Sequence, residues 1–314
     1  MSRPAFTIAV GNHGSTLALK DGRVEPEDFS LRFVDVDPIT GAFRRMVRSM
    51  EFDIAEMAIT TYLVARSFGK RFTALPVFPV RALHHGAILR NVASGVRTPK
   101  DLEGRTAGVN RGYTVTTGVW ARCILSEQYG VDLSKVTWLL SGDEHVAEYR
   151  PPANTIAIPP GKQLAEMLAS GEIPAAIGID SEAASVQPLI ANAQEASQAA
   201  LRERGFYPIN HLIVVRDEVL EANPDLAAQL FGLFARAKDE YVKLLSDRST
   251  IKTNNVDHMY CNVMEVIGDP LPYGLAPNRP MLDALMGTAL AQRIIPEAAD
   301  VEGLFAVETR GLTV

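Results

Sequence analysis

Two extended, proline-containing segments interrupt a regular alternation of strand and helix patterns, and they restrict the fold more than any other feature. The first is TALPVFPVRALHHGAILRN at 73–91, and the second is GFYPINHLIVV at 205–215. The first segment breaks a βαβ pattern that runs from a strand at 6–11 to a helix ending near Gly69. We therefore expect an α/β protein of two lobes, residues 1–90 with 215–314 and residues 91–214. Two crossing segments would form a hinge beside an interdomain cleft. The alternative for 86–91 is a β-hairpin within one domain.

Local patterns predict the elements of each lobe. Strands are expected at 53–59, 106–109, 136–140 and 175–179, and helices at 162–170, 255–267 and 280–293. Asn223 as N-cap and Pro224 at the first helical position predict the start of a long amphipathic helix.

Composition narrows the class of partner. The formal charge of -6 contains no basic block, so the sequence offers no footprint for nucleic acid or an anionic membrane. No apolar run approaches the ~20 residues that span a bilayer. The first apolar run is too short for a signal peptide and is interrupted by Pro4, which favours a cytoplasmic protein. Cys123 and Cys261 show neither metal-ligand spacing nor a disulfide framework and are expected to be buried thiols.

The stretch VNRGYTVTTGVWAR at 109–122 is the strongest local candidate for a ligand site. Gly112 allows the loop backbone conformations that other residues disfavour. Thr114, Thr116 and Thr117 are candidate caps for a helix start. A helix start of this kind can hold a carboxylate or phosphate. The alternative is an ordinary strand-to-helix turn with threonine caps.

Further polar residues follow predicted strands, where open α/β sheets bind ligands. Arginines suit an anionic ligand, and histidines with an ordinary pKa of about 6.5 exchange protons at cellular pH. The set comprises Asn12, His13, Thr60, Thr61, Arg81, His84, His85, Arg111, Tyr113, Thr114, Thr116, Thr117, Asp180, Ser181 and His211.

Several members have structural alternatives. Arg81 could form an interdomain salt bridge, and His211 could be a hydrogen-bonded core histidine. If the chain is extended at His84-His85, one ring faces the cleft and the other the surface. Arg122 could reach the cleft or pair with a neighbouring carboxylate. His145 and Glu148 have helical spacing, which fits a metal half-site or a solvated helix face.

Six motifs together resemble those of the 4,5-dihydroxyphthalate decarboxylase family, over nearly the whole chain. They are EFDIAEMAITTYLVARSFG, LPVFPVRALHHGAI, YTVTTGVWAR, PPGKQLAEMLASGEIPAAIG, FYPINHLIVV and DPLPYGLAPNR, in that order. The resemblance implies a type II periplasmic-binding-protein-like fold used as a cytoplasmic enzyme that converts 4,5-dihydroxyphthalate to protocatechuate and carbon dioxide. The residues that match the family pattern are Arg81, His85, Thr116, Trp120, Arg122 and His211. The chain departs from it at Gly14-Ser15, where many members carry an acidic and a basic residue, and at His84 in place of arginine.

The chemistry of the implied reaction predicts roles for the candidate residues. His85 and His211 would be proton donor and acceptor, in an unassigned order, while Arg81 and the helix start at 114–117 would anchor carboxylates. The remaining substrate-binding candidates are Asn12, His13, Thr60, Thr61, Tyr113, Arg122, Asp180 and Ser181.

The expected partner is a small anionic aromatic substrate, and assembly into a homo-oligomer stays open. The aromatic ring can store the displaced electrons, so neither a metal nor another cofactor is expected. The alternative is a non-catalytic solute-binding protein for a small organic or aromatic acid, acting as an ABC-transporter receptor or a sensor.

Overall fold

The computed structural model describes residues 3–247 and 254–314 and divides the chain into two compact units. The first unit consists of Met1–Ala82, Ile209–Met286 and Ala298–Val314, and the second of Leu83–Pro208 and Gly287–Glu297. Each unit contains one mixed sheet with helices. The predicted α/β class is confirmed.

The strands and helices follow the chain in this order. The strands are β1 (Ala5–Ala9), β2 (Ser30–Phe33), β3 (Ile54–Ala58), β4 (Phe72–Arg81), β5 (Ile88–Asn91), β6 (Thr106–Val109), β7 (Thr137–Leu140), β8 (Thr155–Ala157), β9 (Ala175–Ile177), β10 (Val186–Pro188) and β11 (Ile209–Arg216). The helices are α1 (Gly14–Lys20), α2 (Thr40–Ser49), α3 (Ile59–Ser67), α4 (Thr116–Tyr129), α5 (Leu164–Ser170), α6 (Ala193–Arg204), α7 (Asp217–Ala222), α8 (Leu226–Ser246), α9 (Asn255–Ile267) and α10 (Arg279–Ala291).

The sheet of the first unit has the order β2-β1-β3-β11-β4. β1 runs parallel to β2 and β3, whereas β11 returns antiparallel between β3 and β4. All five residues of β3 are buried, which fits its central position in the sheet, and four of them are apolar. Burial of each large apolar side chain, such as Ile54 or Met57, contributes about 1.5–3 kcal/mol.

The sheet of the second unit has the order β10-β5-β9-β6-β7-β8. Its strands β9, β6, β7 and β8 are mutually parallel, and β5 and β10 pair antiparallel at one edge. Leu139, Leu168 and Ile173 belong to a buried apolar cluster on this sheet. Three loops follow β6, β7 and β9 at one edge of the sheet, where parallel strands present ligand sites.

The strand pairing places the unit boundaries earlier in the chain than the sequence predicts. β5 pairs with β9 and β10, so residues 88–91 belong to the second sheet and form no hairpin with β4. β11 pairs with β3 and β4, so the return begins at Ile209 and not at 215. Because 287–297 also belongs to the second unit, the chain passes between the units four times, where two passages are predicted.

Two local predictions are wrong. α8 begins at Leu226 after an N-cap at Asp225, because Asn223 accepts the Leu226 N–H in the preceding turn and Pro224 lies outside the helix. Residues 143–150 form bends and turns, so His145 and Glu148 do not share a helix face. Cys123 and Cys261 are buried free thiols, as predicted. Within the described part of the chain, no helix combines the length and apolarity needed to cross a membrane.

Candidate functional site

A buried carboxylate, Glu56, is the centre of the first unit's polar cluster. Its side chain is 0% exposed in the middle of β3. It accepts hydrogen bonds from the Gly11 N–H at 2.8 Å, from His13 Nε2 at 2.9 and 3.0 Å, and from His211 Nδ1 at 2.6 Å. Each of these donors lies in the first unit, as Glu56 does. All residues of this cluster therefore belong to one unit.

The strand order brings these residues together. The chain leaves β1 through Gly11 and reaches His13, the N-cap residue of α1, whose N–H donates to Thr16 Oγ1 at 3.1 Å. His211 lies opposite Ala58 near the start of β11, beside the carboxyl end of β3. A Cβ at Gly11 would lie 2.5 Å from His13 Nε2, so only glycine lets this ring reach Glu56.

The neighbouring rings determine the charge of Glu56. Burial would raise the pKa of this carboxyl, but charge interactions and hydrogen bonds with His13 and His211 hold the pKa well below its usual range. An ionised carboxylate only accepts, so His211 carries a proton on Nδ1 and His13 carries one on Nε2. The other ring nitrogens, His211 Nε2 and His13 Nδ1, are the ones that do not bond to Glu56. The side chains of His13 and His211 are 27% and 16% exposed, so solvent reaches both rings.

The other predicted residues of the first unit lie at neighbouring strand ends. Arg81 ends β4, is buried, and donates from Nη1 to Asn278 Oδ1 at 2.8 Å. Thr60 and Thr61 are buried in the first turn of α3, directly after β3. Asn12 is exposed beside Gly11.

In the second unit, the loop before α4 already holds a carboxylate of this chain. Glu144 accepts from the Tyr113 N–H at 2.5 Å, the Thr114 N–H at 3.2 Å and Thr114 Oγ1 at 2.5 Å. The predicted threonine caps are wrong, because the N-cap is Val115, and Thr116 and Thr117 lie inside the helix. The prediction that this loop holds a ligand carboxylate stays a prediction, because its donors bind a carboxylate of the chain itself.

Arg122 lies beneath the same loop, on α4. Its side chain is fully buried, with Nε donating to Gln292 Oε1 at 2.8 Å and Nη2 to the Tyr113 carbonyl at 2.6 Å. The guanidinium carbon lies 3.9 Å from the centre of the Tyr113 ring. Burial lowers the pKa of this guanidinium. These contacts make Arg122 a support for the Tyr113 loop.

His85 occupies a buried position in a short 3₁₀ turn, His85–Ala87. Its Nε2 lies 2.8 Å from Gln128 Oε1, which makes Nε2 the donor and leaves Nδ1 as the acceptor in the neutral ring. Nδ1 is buried and has no hydrogen-bond partner among the described residues. Burial lowers the pKa of this imidazole. The prediction of a surface position for one ring of His84-His85 is wrong, because this segment is not extended and both residues are buried.

Asp180 and Ser181 follow β9 at the carboxyl end of the second sheet. Asp180 is exposed, and the chain reaches it through Gly178, whose φ of 74° is in the left-handed region that favours glycine. The Gly178 carbonyl accepts from Asn110 Nδ2 at 2.7 Å and so joins this loop to the one after β6.

Sequence reasoning missed two glutamates and one cluster. The sequence could have indicated Glu56, since it is a single acidic residue inside an otherwise apolar strand. No local pattern distinguishes Glu144. The sequence suggests a metal half-site only at His145 and Glu148, whereas the structure brings other possible metal ligands together. One ligand atom each from His13, Glu56 and His211 lies within 4.8 Å of the others. The residues are 43 and 155 positions from Glu56 along the chain, so local spacing could not show it.

Two proteins named 4,5-dihydroxyphthalate decarboxylase are similar to this chain over much of its length. The 4,5-dihydroxyphthalate decarboxylase of Comamonas testosteroni is 30% identical over 303 residues, which are 91% of each chain. The protein of the same name from Pseudomonas putida is 35% identical over 186 residues, or 57% of this chain and 71% of that protein. No family model matches the chain.

Solved structures show the fold at much lower identity. The alkanesulfonate-binding protein SsuA of Xanthomonas axonopodis pv. citri is 16% identical, covers 98% of this chain and 99% of its own, and has a TM-score of 0.54. The desulfurization enzyme DSZB is 14% identical, with 97% and 96% coverage and a TM-score of 0.54. The chain therefore has the periplasmic-binding-protein fold. DSZB shows that an enzyme can have this fold as well. The similarity to the Comamonas protein along 91% of both chains confirms the resemblance, and the chain belongs to the 4,5-dihydroxyphthalate decarboxylase family.

Proposed function

We propose that this protein is a carboxy-lyase that removes one carboxylate from a dihydroxylated aromatic dicarboxylate. The proposed substrate is 4,5-dihydroxyphthalate, and the products are protocatechuate and carbon dioxide. The observation that carries the proposal is the Glu56–His211 pair. It joins a buried ionised carboxylate in β3 to a solvent-accessible imidazole near the start of the antiparallel strand β11. The relatives' names support the same reaction class.

The reaction needs two proton transfers and an electron sink. A base removes the proton of the hydroxyl para to the departing carboxylate, and its electrons enter the ring. An acid protonates the ring carbon that bears this carboxylate. The bond from that carbon to the carboxylate then breaks, its electron pair restores aromaticity, and carbon dioxide leaves. Because the ring stores the electrons, the protein has to supply orientation and proton transfer.

His211 is the proposed acid. Its Nδ1 proton is held by Glu56, so Nε2 is the atom that delivers a proton to the ring carbon. The Glu56 carboxylate also stabilises positive charge on this imidazole, as the buried carboxylate does in hydrolase triads. Glu56 is therefore a positioning residue and His211 a catalytic one.

His85 is the proposed base. Burial lowers its pKa, so the ring is neutral at pH 7 and Nδ1 offers a lone pair. Gln128 holds Nε2 and so fixes this tautomer. With His211 as acid and His85 as base, each ring has a partner that selects its role.

Arg81 is the proposed anchor for a substrate carboxylate. Asn278 holds one of its terminal nitrogens, which orients the planar guanidinium. The Tyr113–Thr114 turn is the proposed second anchor. Its donors bind Glu144, so a substrate carboxylate would take the place of that side chain. The remaining proposed contacts are Asn12, His13, Thr60, Thr61, Thr116, Thr117, Asp180 and Ser181. The buried Arg122 would act through the Tyr113 loop that it supports.

Release of carbon dioxide from defined phthalates tests the proposal. We expect 4,5-dihydroxyphthalate to yield stoichiometric carbon dioxide and protocatechuate. Phthalate itself should bind without turnover, because it lacks the para hydroxyl that feeds the ring. The His211→Gln variant should be folded and at least about 10²-fold slower, as for loss of an acid. Calorimetric binding of 4,5-dihydroxyphthalate with no carbon dioxide would refute the enzyme and favour a solute-binding protein.

A further inference from the structure

We propose that His13, Glu56 and His211 form a binding site for one divalent transition-metal ion of the zinc class. The inference goes beyond the proposed decarboxylation, which draws only on the ring's own electrons. One nitrogen from each histidine and one carboxylate oxygen lie within 4.8 Å of one another. Three side chains, from the start of α1, from β3 and from β11, thus converge on one point.

The donor set selects the class of ion. Two imidazole nitrogens and one carboxylate oxygen suit Zn²⁺ and Co²⁺, whereas Mg²⁺ and Ca²⁺ prefer oxygen ligands alone. Three protein ligands leave a fourth position for water or another small ligand. The part-exposed rings of His13 and His211 give an ion access from solvent, and the fully buried Glu56 supplies negative charge beneath them.

The surroundings already orient the ligands. The Gly11 N–H occupies Glu56 Oε2 at 2.8 Å, which directs Oε1 to both rings, at 2.9 Å from His13 Nε2 and 2.6 Å from His211 Nδ1. The Phe43 ring packs edge-on against His211 with centroids 5.0 Å apart. Ligand atoms around zinc are separated by about 3.3 Å, so metal binding would move the His13 and His211 nitrogens away from Glu56 Oε1 by about 0.4 and 0.7 Å. The two protons that now bridge to Glu56 would leave with metal binding.

Metal binding has a consequence for catalysis, and this step rests on the proposed function. A metal on His211 Nδ1 leaves the ring's only proton on Nε2. Donation of that proton would produce an imidazolate, so the metal-bound ring is a poor acid. We therefore expect Zn²⁺ to inhibit decarboxylation at the concentration at which it fills the site.

Titration of tag-free protein with Co²⁺ tests the site without using activity. We expect one Co²⁺ per chain, with visible absorption bands of a nitrogen- and oxygen-ligated ion, displacement by Zn²⁺ and no competition from Mg²⁺. His13→Ala should weaken binding by about 10²-fold or more. The matched control is His258→Ala, which removes an exposed imidazole on α9 and should leave binding unchanged.

Three results would overturn the proposal. They are absence of Co²⁺ and Zn²⁺ binding at millimolar concentration, equal binding by His13→Ala, and equal loss in His258→Ala. Circular dichroism checks each fold, and His13→Gln replaces His13→Ala if the latter does not fold. Zinc binding that leaves turnover unchanged would refute only the predicted inhibition. If the protein binds Co²⁺ but releases no carbon dioxide, the metal site is supported and the proposed function is refuted, so the two failures are distinguishable.

Discussion

At the scale of single residues, the position of one proton depends on Glu56. Replacing Glu56 by Gln preserves its shape but removes the charge that holds the His211 Nδ1 proton. We expect kcat for 4,5-dihydroxyphthalate to fall by about 10²–10⁴-fold, as for misassigned tautomers in related dyads, with a smaller change in KM. Steady-state kinetics across a pH series measure this effect, and a purely structural role would leave the shape of the pH profile unchanged. Glu308→Gln, at an exposed glutamate, is the matched control.

The burial of His85 predicts a pH dependence of stability. Its pKa is lowered in the folded protein, so the unfolded chain binds the proton more readily. The free energy of unfolding should therefore fall as pH decreases below the ordinary histidine pKa of about 6.5 and on through the lowered pKa. His85→Gln should lose less stability over that range than the unchanged protein. Urea unfolding at several pH values between 7.5 and 5 measures both slopes, and identical slopes would contradict the assignment.

At the scale of elements, the contact between α1 and α8 depends on a missing side chain. A Cβ at Gly14 would lie 2.0 to 2.4 Å from three ring carbons of Tyr241, so α1 approaches α8 only with glycine there. We expect Gly14→Ala to destabilise the protein by about 1–3 kcal/mol, as overpacking does. Denaturant unfolding measures the cost, which should shrink in a Tyr241→Ala background.

The control for this prediction lies on α8 itself. Gly232 is exposed inside the helix, and a Cβ there would meet no atom within 4 Å. Gly232→Ala should therefore stabilise the protein by about 0.5–1 kcal/mol through helix propensity. Equal destabilisation by both substitutions would show that the Tyr241 contact is not the cause.

Most strands and helices could be predicted from the sequence, because the pattern that favours each of them lies within a few residues along the chain. The apolar pattern of 53–59 and the helical pattern of 255–267 predicted β3 and α9 to within one residue at each end. The start of α8 was misplaced because Asn223 and Pro224 resemble a helix start but form the turn before it. Helix ends depend on which of several capping arrangements the backbone adopts, and short patterns fit more than one.

At the scale of the whole molecule, the proposed reaction predicts how the protein responds to metal removal. Electrons displaced by decarboxylation enter the aromatic ring, so exhaustive dialysis against a chelator should leave turnover unchanged, or raise it if zinc had filled the His13–Glu56–His211 site. Carbon dioxide release before and after dialysis, with metal content measured on the same samples, provides the test. Loss of turnover that one divalent ion restores would refute metal-free catalysis.

The sequence alone determined the α/β class, most of the elements and the family, because periodicity and ordered motifs are properties of the chain itself. It also identified His211 and the loop before α4 as polar sites at strand or helix ends. Only the tertiary structure shows which distant residues join those sites. Strand pairing brings Glu56 to residues 43 and 155 positions away, and a loop beyond β7 supplies Glu144 to the donors of Tyr113 and Thr114. Such contacts arise from packing between segments that are distant in the sequence. The residues next to each partner in the chain therefore do not predict them.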